Sequence, residues 1–394
     1  MPTRHIPYLG ILPRREIKEF LITMAVQGFS TSIITLFEPI YLYTLGYSIS
    51  WIMLFYVMVY GVYFFLLPLG GKIARRLGYE RAFFFGTLVL AAYFLSLVAI
   101  GFWPSFFFIA PVVFALQKML YWPAYHGDLA RFGRKGHRGR ELSILSVIIQ
   151  IVAVIGPVVG GLILEFSTFT ILFLVAIGLL LVSVIPLFTT REKFTPGTFS
   201  YKGAFRYLFA RKNFRHFAAY FGYGEELIVL TIWPIFIYIV ISDFLSIGSI
   251  IAVATIFSIV VTLIAGRFSD RLKTRWTVLT VGTLAYIVSF LTRIFAKTPI
   301  GIFFFDSFSR ISKTVLTIPF VSTIYDTAKK SKDDNLMHEV VFFEQVLSLG
   351  KLLAAGIVGI VFMYTQSFFT AFVIAAVFAL LYLFLKPNLN HKHA

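Results

Sequence analysis

Apolar residues form runs of about 20 positions along this chain, and short polar segments separate the runs. A helix of roughly 20 apolar residues crosses the hydrocarbon core of a bilayer, which is about 30 Å thick. The pattern predicts twelve such spans. They lie near 17–45, 50–70, 82–102, 104–125, 141–164, 168–189, 214–241, 246–266, 276–296, 299–325, 338–364 and 366–386. We therefore expect an all-α polytopic membrane protein.

The composition supports this interpretation and narrows the chemistry. Charged residues make up only 13% of the 394 residues and hydrophobic residues 59%, whereas a soluble domain carries roughly 25% charge. The chain contains no cysteine, which excludes disulfides, thiol nucleophiles and cysteine-based metal sites. Nothing in the sequence calls for a cofactor or a metal.

The net charge of +17 reflects topology. Lys and Arg fall almost entirely on the side of the twelve spans that also holds both termini, and Lys297 is the one cation in the loops of the other side. This is the positive-inside pattern, with both termini cytoplasmic, so we expect no nucleic-acid partner. The short loops and the lack of cysteine favour a prokaryotic inner membrane.

The longest cytoplasmic connection divides the chain into halves. We predict a six-helix bundle over 1–190, a linker over 191–213 and a second six-helix bundle over 214–394. In the linker, Tyr201, Phe205 and Leu208 alternate at helical spacing with Lys202 and Arg206. This pattern predicts a short basic amphipathic helix on the cytoplasmic leaflet; a linker that is merely basic is the alternative.

Several motifs recur about half a chain apart. Glu38-Pro39 corresponds to Trp233-Pro234, Gly86-Thr87 to Gly282-Thr283, Pro123 to Pro319, and the loop Gly71–Gly78 to Gly266–Lys273. Because each half has an even number of spans, the halves share one orientation in the membrane. This predicts two pseudo-symmetric bundles around a central cavity, related by an axis along the membrane normal.

With these features the chain resembles the major facilitator superfamily in its twelve-helix form. The loop signature between spans 2 and 3 keeps Gly71, Arg76 and Gly78 but has Arg75 where the family usually has Asp. The Gly156-Pro157 motif of span 5 is similar to that of the drug/proton antiporter branch. The resemblance implies a monomeric secondary transporter that works by alternating access. Close packing of span 5 between the halves is the other interpretation of Gly156-Pro157.

The resemblance also implies gating contacts between the halves. Asp270, followed by Arg271, would face the start of span 5, where a helix N-terminus favours an anion. A cation at position 75 is unfavourable beside a helix N-terminus unless an acidic residue is present, and the start of span 11 carries acidic residues. We expect Arg75, with Arg76, to pair with Glu339 or Asp334 and latch one state; the alternative is that Arg75 is one more inside-positive charge.

Ionisable residues inside the spans are costly, and each one suggests a function. The candidates for substrate binding are Lys118, Gln150, Arg310, Lys313 and Lys351, and those for proton coupling are Glu226, Glu225 and Glu38. Asp306 and Arg310 are spaced to pair along one helix. Neutralised structural ion pairs are the alternative explanation for the whole set. Because adjacent helical residues point about 100° apart, periodicity does not decide between Glu225 and Glu226, and we favour Glu226.

These residues suit a proton-coupled carrier of a small organic anion or zwitterion. The alternative is an exporter of drugs or amphipathic lipids, which the aromatic residues and the Gly-Pro motif favour. We do not expect an enzyme; in particular, the chain has no phosphate-binding Gly-rich loop with Lys-Ser/Thr and so is not itself an ATPase. We assign His126 and Asp128, at the end of span 4, to local charge balance.

Overall fold

The computed structural model describes residues 15–131, 138–188, 194, 196–269, 275–329 and 333–385, and among these it contains helices and no strand. The predicted gating residues Asp270 and Arg271 lie outside the described residues, and so does the side chain of Asp334. The all-α polytopic fold predicted from the sequence is confirmed.

The helices follow the predicted spans. The first six spans are α1 (Arg15–Thr35) with α2 (Glu38–Thr44), α3 (Ile49–Leu77), α4 (Tyr79–Ile100), α5 (Phe106–Arg131), α6 (Arg138–Phe166) and α7 (Phe169–Ser183). After the linker helix α8 (Tyr201–Leu208), the last six are α9 (Phe214–Phe221) with α10 (Gly224–Ile241), α11 (Phe244–Ser269), α12 (Arg275–Thr292), α13 (Pro299–Lys329), α14 (Asp333–Thr365) and α15 (Phe368–Leu380). Within the described part of the chain, nine segments are long and apolar enough to cross a membrane.

Spans 1 and 7 are each broken into two helices, and the breaks fall at different depths. Span 1 breaks before Glu38, and Pro39 occupies the first turn of α2, where its missing N–H costs no hydrogen bond. Span 7 breaks at Gly222 and Tyr223, while its corresponding Pro234 lies inside the continuous α10. The paired prolines therefore serve different roles in the two halves.

The two halves meet along pairs of helices that the pseudo-two-fold axis relates. Helix α3 (span 2) packs on α14 (span 11), and α6 (span 5) packs on α11 (span 8). Exchanging the halves turns the first pair into the second. Corresponding contacts also recur within the halves, because α4 packs on α5 at Gly86 and α12 packs on α13 at Gly282.

Spans 5 and 8 approach each other closely through small residues. A Cβ atom at Gly248 would stand 2.1 Å from the carbonyl oxygen of Pro157, and one at Gly161 would stand 2.5 Å from the carbonyl oxygen of Phe244. Only glycine allows backbones to come this near in a membrane. The predicted packing between the halves is seen at Pro157 and Gly161, whereas Gly156 packs on Ser32 of α1 within the first half.

The linker forms the predicted amphipathic helix, α8, with Ser200 as its N-cap. Its apolar face packs on protein from both halves. The Tyr201 hydroxyl donates to the Phe65 carbonyl oxygen of α3 at 3.1 Å, and the Tyr207 hydroxyl donates to Glu339 of α14 at 2.5 Å. Helix α8 therefore bridges the ends of spans 2 and 11, and we call the face of the molecule on which it lies the linker side.

Candidate functional site

Three buried tyrosines of α3 organise the charged residues between the halves. Tyr56, Tyr60 and Tyr63 are spaced by four and three positions, so they share one face of the helix. Each is at most 6% exposed, and each contacts charged side chains of neighbouring helices. The spacing of this stripe can be read from the sequence, whereas its partners are set by the packing of other helices.

The central cluster joins both halves around Tyr60. The Nζ atoms of Lys118 on α5 and Lys351 on α14 each lie 5.5 Å from the centre of the Tyr60 ring. Lys351 also forms an ion pair with Glu226 of α10, with Nζ and Oε2 2.5 Å apart. The Glu226 side chain is 36% exposed and that of Lys351 only 9%. A cation from each half and one accessible carboxylate thus converge at this point.

Lys118 interacts with the carboxylates of Glu226 and Glu38 only from beyond ion-pair distance. Its ammonium group lies over the Phe114 ring at 4.2 Å. None of the carboxylates in the described residues lies within ion-pair distance of it. The ring faces give the ammonium group partial compensation.

Glu225 belongs to a separate cluster inside the second half. Its carboxylate is completely buried, forms an ion pair with Lys313 of α13, and accepts hydrogen bonds from the hydroxyls of Tyr286 (2.7 Å) and Tyr382 (2.8 Å). Lys313 also donates to the Tyr382 hydroxyl at 2.9 Å. Glu225 and Glu226 therefore point to different surroundings, the first into the bundle and the second toward the other half.

A third cluster lies on α13 and its neighbours. The predicted pairing of Arg310 with Asp306 is confirmed, with Nε and Oδ2 2.5 Å apart, and Asp306 also accepts from the Trp233 indole at 2.9 Å. Arg293, a residue that the sequence reasoning passed over, is 1% exposed and donates to Ser309 at 2.7 Å. Its guanidinium stacks on the Trp233 ring at 4.6 Å. Its position within a predicted span was the available signal.

Glu38 is buried in the first half under two tyrosine hydroxyls, with Lys118 acting on its carboxylate from beyond ion-pair distance. The hydroxyls of Tyr56 and Tyr93 donate to the same carboxylate oxygen, at 2.9 and 2.8 Å. Its side chain sits near the break between α1 and α2, and the residue is 8% exposed. In the described part of the chain, no Lys or Arg forms an ion pair with it.

His126 has a different environment from the one expected. The sequence reasoning placed it in a basic turn, but its Nε2 atom lies 3.2 Å from the Glu344 carboxylate of α14. Glu344 also accepts a hydrogen bond from Tyr63 at 3.0 Å. Glu344 is therefore held by two residues of the first half, because α5 continues to Arg131 and carries His126 to the interface.

The remaining predicted residues lie away from the central cluster. Gln150 is exposed on α6, between Ile149 and Ile151, which are both 52% exposed. Arg76 is exposed at the end of α3, and the Arg75 guanidinium lies against Gly197 of the linker. Glu339 accepts its hydrogen bond from Tyr207, as described above.

Tyr207 stays neutral in this contact over the physiological range. Burial and the hydrogen bond to Glu339 raise the pKa of Tyr207 well above the ordinary tyrosine value. The hydroxyl is therefore available as a donor to the Glu339 carboxylate. This places a linker residue at the position where the sequence suggested an arginine.

Comparison with known families decides what kind of protein this is. The sequence model of the Major Facilitator Superfamily matches residues 20–241. The chain belongs to this superfamily. Membership, together with the polytopic helical fold, makes it a secondary transporter and not an enzyme.

The chain is also similar to one curated protein and to solved transporter structures. An uncharacterised protein, YqgE, of Bacillus subtilis (strain 168) is 23% identical over 297 residues, which are 73% of this chain and 68% of that protein. A crystal structure of the peptide transporter POT in complex with sulfate has a TM-score of 0.72 at 16% identity, over 96% of this chain and 95% of that one. A mutant of the same transporter, also with sulfate, matches with the same TM-score and identity. At this identity the likeness concerns the fold.

Proposed function

We propose that this transporter couples proton movement to the passage of a small organic anion or zwitterion. The observation that supports it is the central cluster, where Lys118 and the Lys351–Glu226 ion pair meet at Tyr60. The cluster contains two cations and one carboxylate, so its surplus charge is positive. An anionic group of the substrate compensates that charge.

Proton binding at Glu226 changes what Lys351 can do. A protonated Glu226 no longer holds Lys351 as an ion pair, and the ammonium becomes free to bind the substrate anion beside Lys118. Proton and anion then occupy the site together, which favours transport in the same direction over exchange. Glu225, bound to Lys313 inside the second half, keeps that bundle rigid while Glu226 titrates.

The similar POT structures add general support. Both are complexes with sulfate, so a transporter of this fold holds an inorganic anion. For this chain we extend that property to the central cations Lys118 and Lys351. Arg310 becomes available to substrate when its ion pair with Asp306 opens, whereas Lys313 stays bound to Glu225. Gln150 stays a candidate for a substrate contact in another conformational state.

Topology and gating form part of the same proposal. The linker side is cytoplasmic, both termini lie there, and the chain works as a monomer in an inner membrane with bundle boundaries at 1–190 and 214–394. Helix α8 holds the cytoplasmic ends of spans 2 and 11 together through Tyr207 and Glu339. Arg75 and Arg76 reinforce this closure. In the corresponding loop of the second half, Asp270 and Arg271 are the candidates for a gating contact with the start of span 5.

An exporter of drugs or amphipathic lipids is the second candidate function. The antiporter-like Gly156-Pro157 motif and the aromatic rings around Lys118 favour it. In that case protons and substrate compete for Glu226, and they move in opposite directions. The sign of the coupled proton flux therefore separates the two candidates.

Proteoliposomes with a trapped pH dye test the proposal. Anionic, zwitterionic, cationic and lipophilic solutes are added outside vesicles that contain wild-type protein, Glu226→Gln or a control variant. The control, Glu165→Gln, alters an exposed carboxyl at the far end of α6. We expect inward proton flux with anionic or zwitterionic solutes in wild type and control, and at least a tenfold loss in Glu226→Gln. Outward flux with lipophilic solutes supports the exporter. Solute uptake without proton flux refutes proton coupling.

A further inference from the structure

A groove on the linker side lies apart from the central site. It is formed where the end of α8 turns into α9, it encloses about 780 Å³, and its lining includes Leu208, Phe209, Phe214 and Phe217. The Asn213 side chain donates to the Tyr207 carbonyl oxygen at 2.8 Å and fixes the turn. The volume falls within the range of about 300–1,000 Å³ that ligand sites occupy.

The charged residues of the groove are both arginines. Arg211 and Arg215 line it, both are exposed, and its described lining includes no acidic residue. Lys202 and Arg206 are exposed on the adjoining helix α8. Guanidinium groups suit bidentate binding of a phosphate, so the charge of the rim selects a phosphate-bearing anion.

The apolar part of the groove is exposed. Phe209 is 71% exposed and Phe214 is 64% exposed, while Phe217 stacks on Phe221 at 6.0 Å and closes the floor. Two large exposed rings beside two arginines make an amphipathic surface. A hydrocarbon chain covers such rings, and a small water-soluble phosphate does not.

The position of the groove in the fold indicates that the hydrocarbon chain belongs to a lipid of the bilayer. Helix α9 opens the membrane-crossing segment Phe214–Ile241, so Phe214 and Arg215 stand at its end on the linker side. Basic residues at this level attract anionic lipid headgroups, and aromatic rings settle at the same depth.

We propose that this groove binds one anionic phospholipid. Arg211 and Arg215 hold its phosphate, and an acyl chain lies along Phe209 and Phe214 over Phe217. The lipid then contacts both the end of α8 and the start of span 7. Since α8 bridges spans 2 and 11, a lipid in the groove connects that bridge to span 7 as well.

Native mass spectrometry of the full chain tests this site. The protein in detergent is mixed with a defined amount of phosphatidylglycerol or phosphatidylcholine, and the lipid that stays bound after release from the detergent is counted. The variants are Arg211→Gln with Arg215→Gln, and a control with equal charge loss, Lys72→Gln with Arg81→Gln, two exposed cations on α3 and α4. We expect one phosphatidylglycerol to stay bound to wild type and control, and about tenfold weaker binding to the arginine variant. A Phe209→Ser, Phe214→Ser variant is expected to weaken it as well.

Three results overturn the proposal. Equal retention of both lipids by wild type means nonspecific lipid, and equal loss in the control means diffuse charge attraction. Phosphatidylglycerol binding that the arginine variant retains in full places the lipid elsewhere. Elution volume and helical circular dichroism of each variant confirm that the fold is intact, and transport by the central cluster is a separate measurement.

Discussion

The two halves each bury a carboxylate under two tyrosine hydroxyls, and they differ in one cation. Glu38 in the first half is held by Tyr56 and Tyr93 alone. Glu225 in the second half is held by Tyr286 and Tyr382 and also by Lys313. The two carboxylates do not occupy corresponding positions, because Glu38 corresponds to Trp233, so the halves reach a similar arrangement from different spans; of the two, Glu225 is the one in a direct ion pair among the described residues.

Two carboxylates with similar tyrosine donors therefore differ in how their charge is compensated. A buried ion pair is stable only while both partners remain, since loss of one leaves a bare charge in a medium of low dielectric constant. Glu225 is thus tied to Lys313 as a structural unit. Glu38 is held by hydrogen bonds, and Lys118 acts on its carboxylate from beyond ion-pair distance.

The largest effect is expected from removing the cation that distinguishes the halves. Lys313→Met leaves Glu225 buried without its counterion, and we expect a loss of about 3–5 kcal/mol in unfolding free energy. The double variant Glu225→Gln, Lys313→Met removes both charges and is expected to recover most of that loss. Denaturant unfolding in detergent measures both. A double variant as unstable as the single one contradicts the ion-pair interpretation.

A smaller effect comes from matched tyrosine deletions in the two halves. Tyr93→Phe leaves Glu38 with one donor, and we expect a cost of about 1.5–3 kcal/mol, the range for a hydrogen bond to a charged group. Tyr286→Phe leaves Glu225 with Lys313 and Tyr382, so its cost is expected to be lower. The same unfolding measurement compares the variants. The comparison between the halves fails if Tyr286→Phe proves the more damaging.

The smallest effect is expected at Glu339, a half-buried carboxylate that water can reach. Tyr207→Phe removes its tyrosine donor, and we expect a loss of about 0.5–1.5 kcal/mol at pH 7. The raised pKa of Tyr207 adds a pH dependence. Above about pH 10, where an ordinary tyrosine ionises, the unfolded state loses this proton and the folded state keeps it.

Wild type is therefore expected to lose its advantage over Tyr207→Phe as the pH rises through 10. Unfolding curves of the two proteins at pH 7, 9 and 10.5 measure this difference, and the other tyrosines cancel between them. A constant difference across all three pH values would show that Tyr207 ionises as an exposed tyrosine does.

Local pattern alone predicted much of the molecule. Apolar runs placed the spans because a helix must be long enough to cross the bilayer, and spacing along a single helix predicted the pairing of Asp306 with Arg310. The intramembrane positions of Lys118, Glu226 and Lys351 made them candidates for a site, since charges are costly there, and the structure brings the three together. All of these inferences need only distances along one helix.

Tertiary structure alone decided which charges meet. Glu225 and Lys313 are 88 positions apart, and Tyr63 and Glu344 are 281 apart, so the register between helices sets these contacts. The packing of α10 places Glu225 against Lys313 inside the bundle and Glu226 against Lys351, a choice that periodicity left open. Periodicity along one chain specifies which residues share a face, while packing against other helices selects what that face touches.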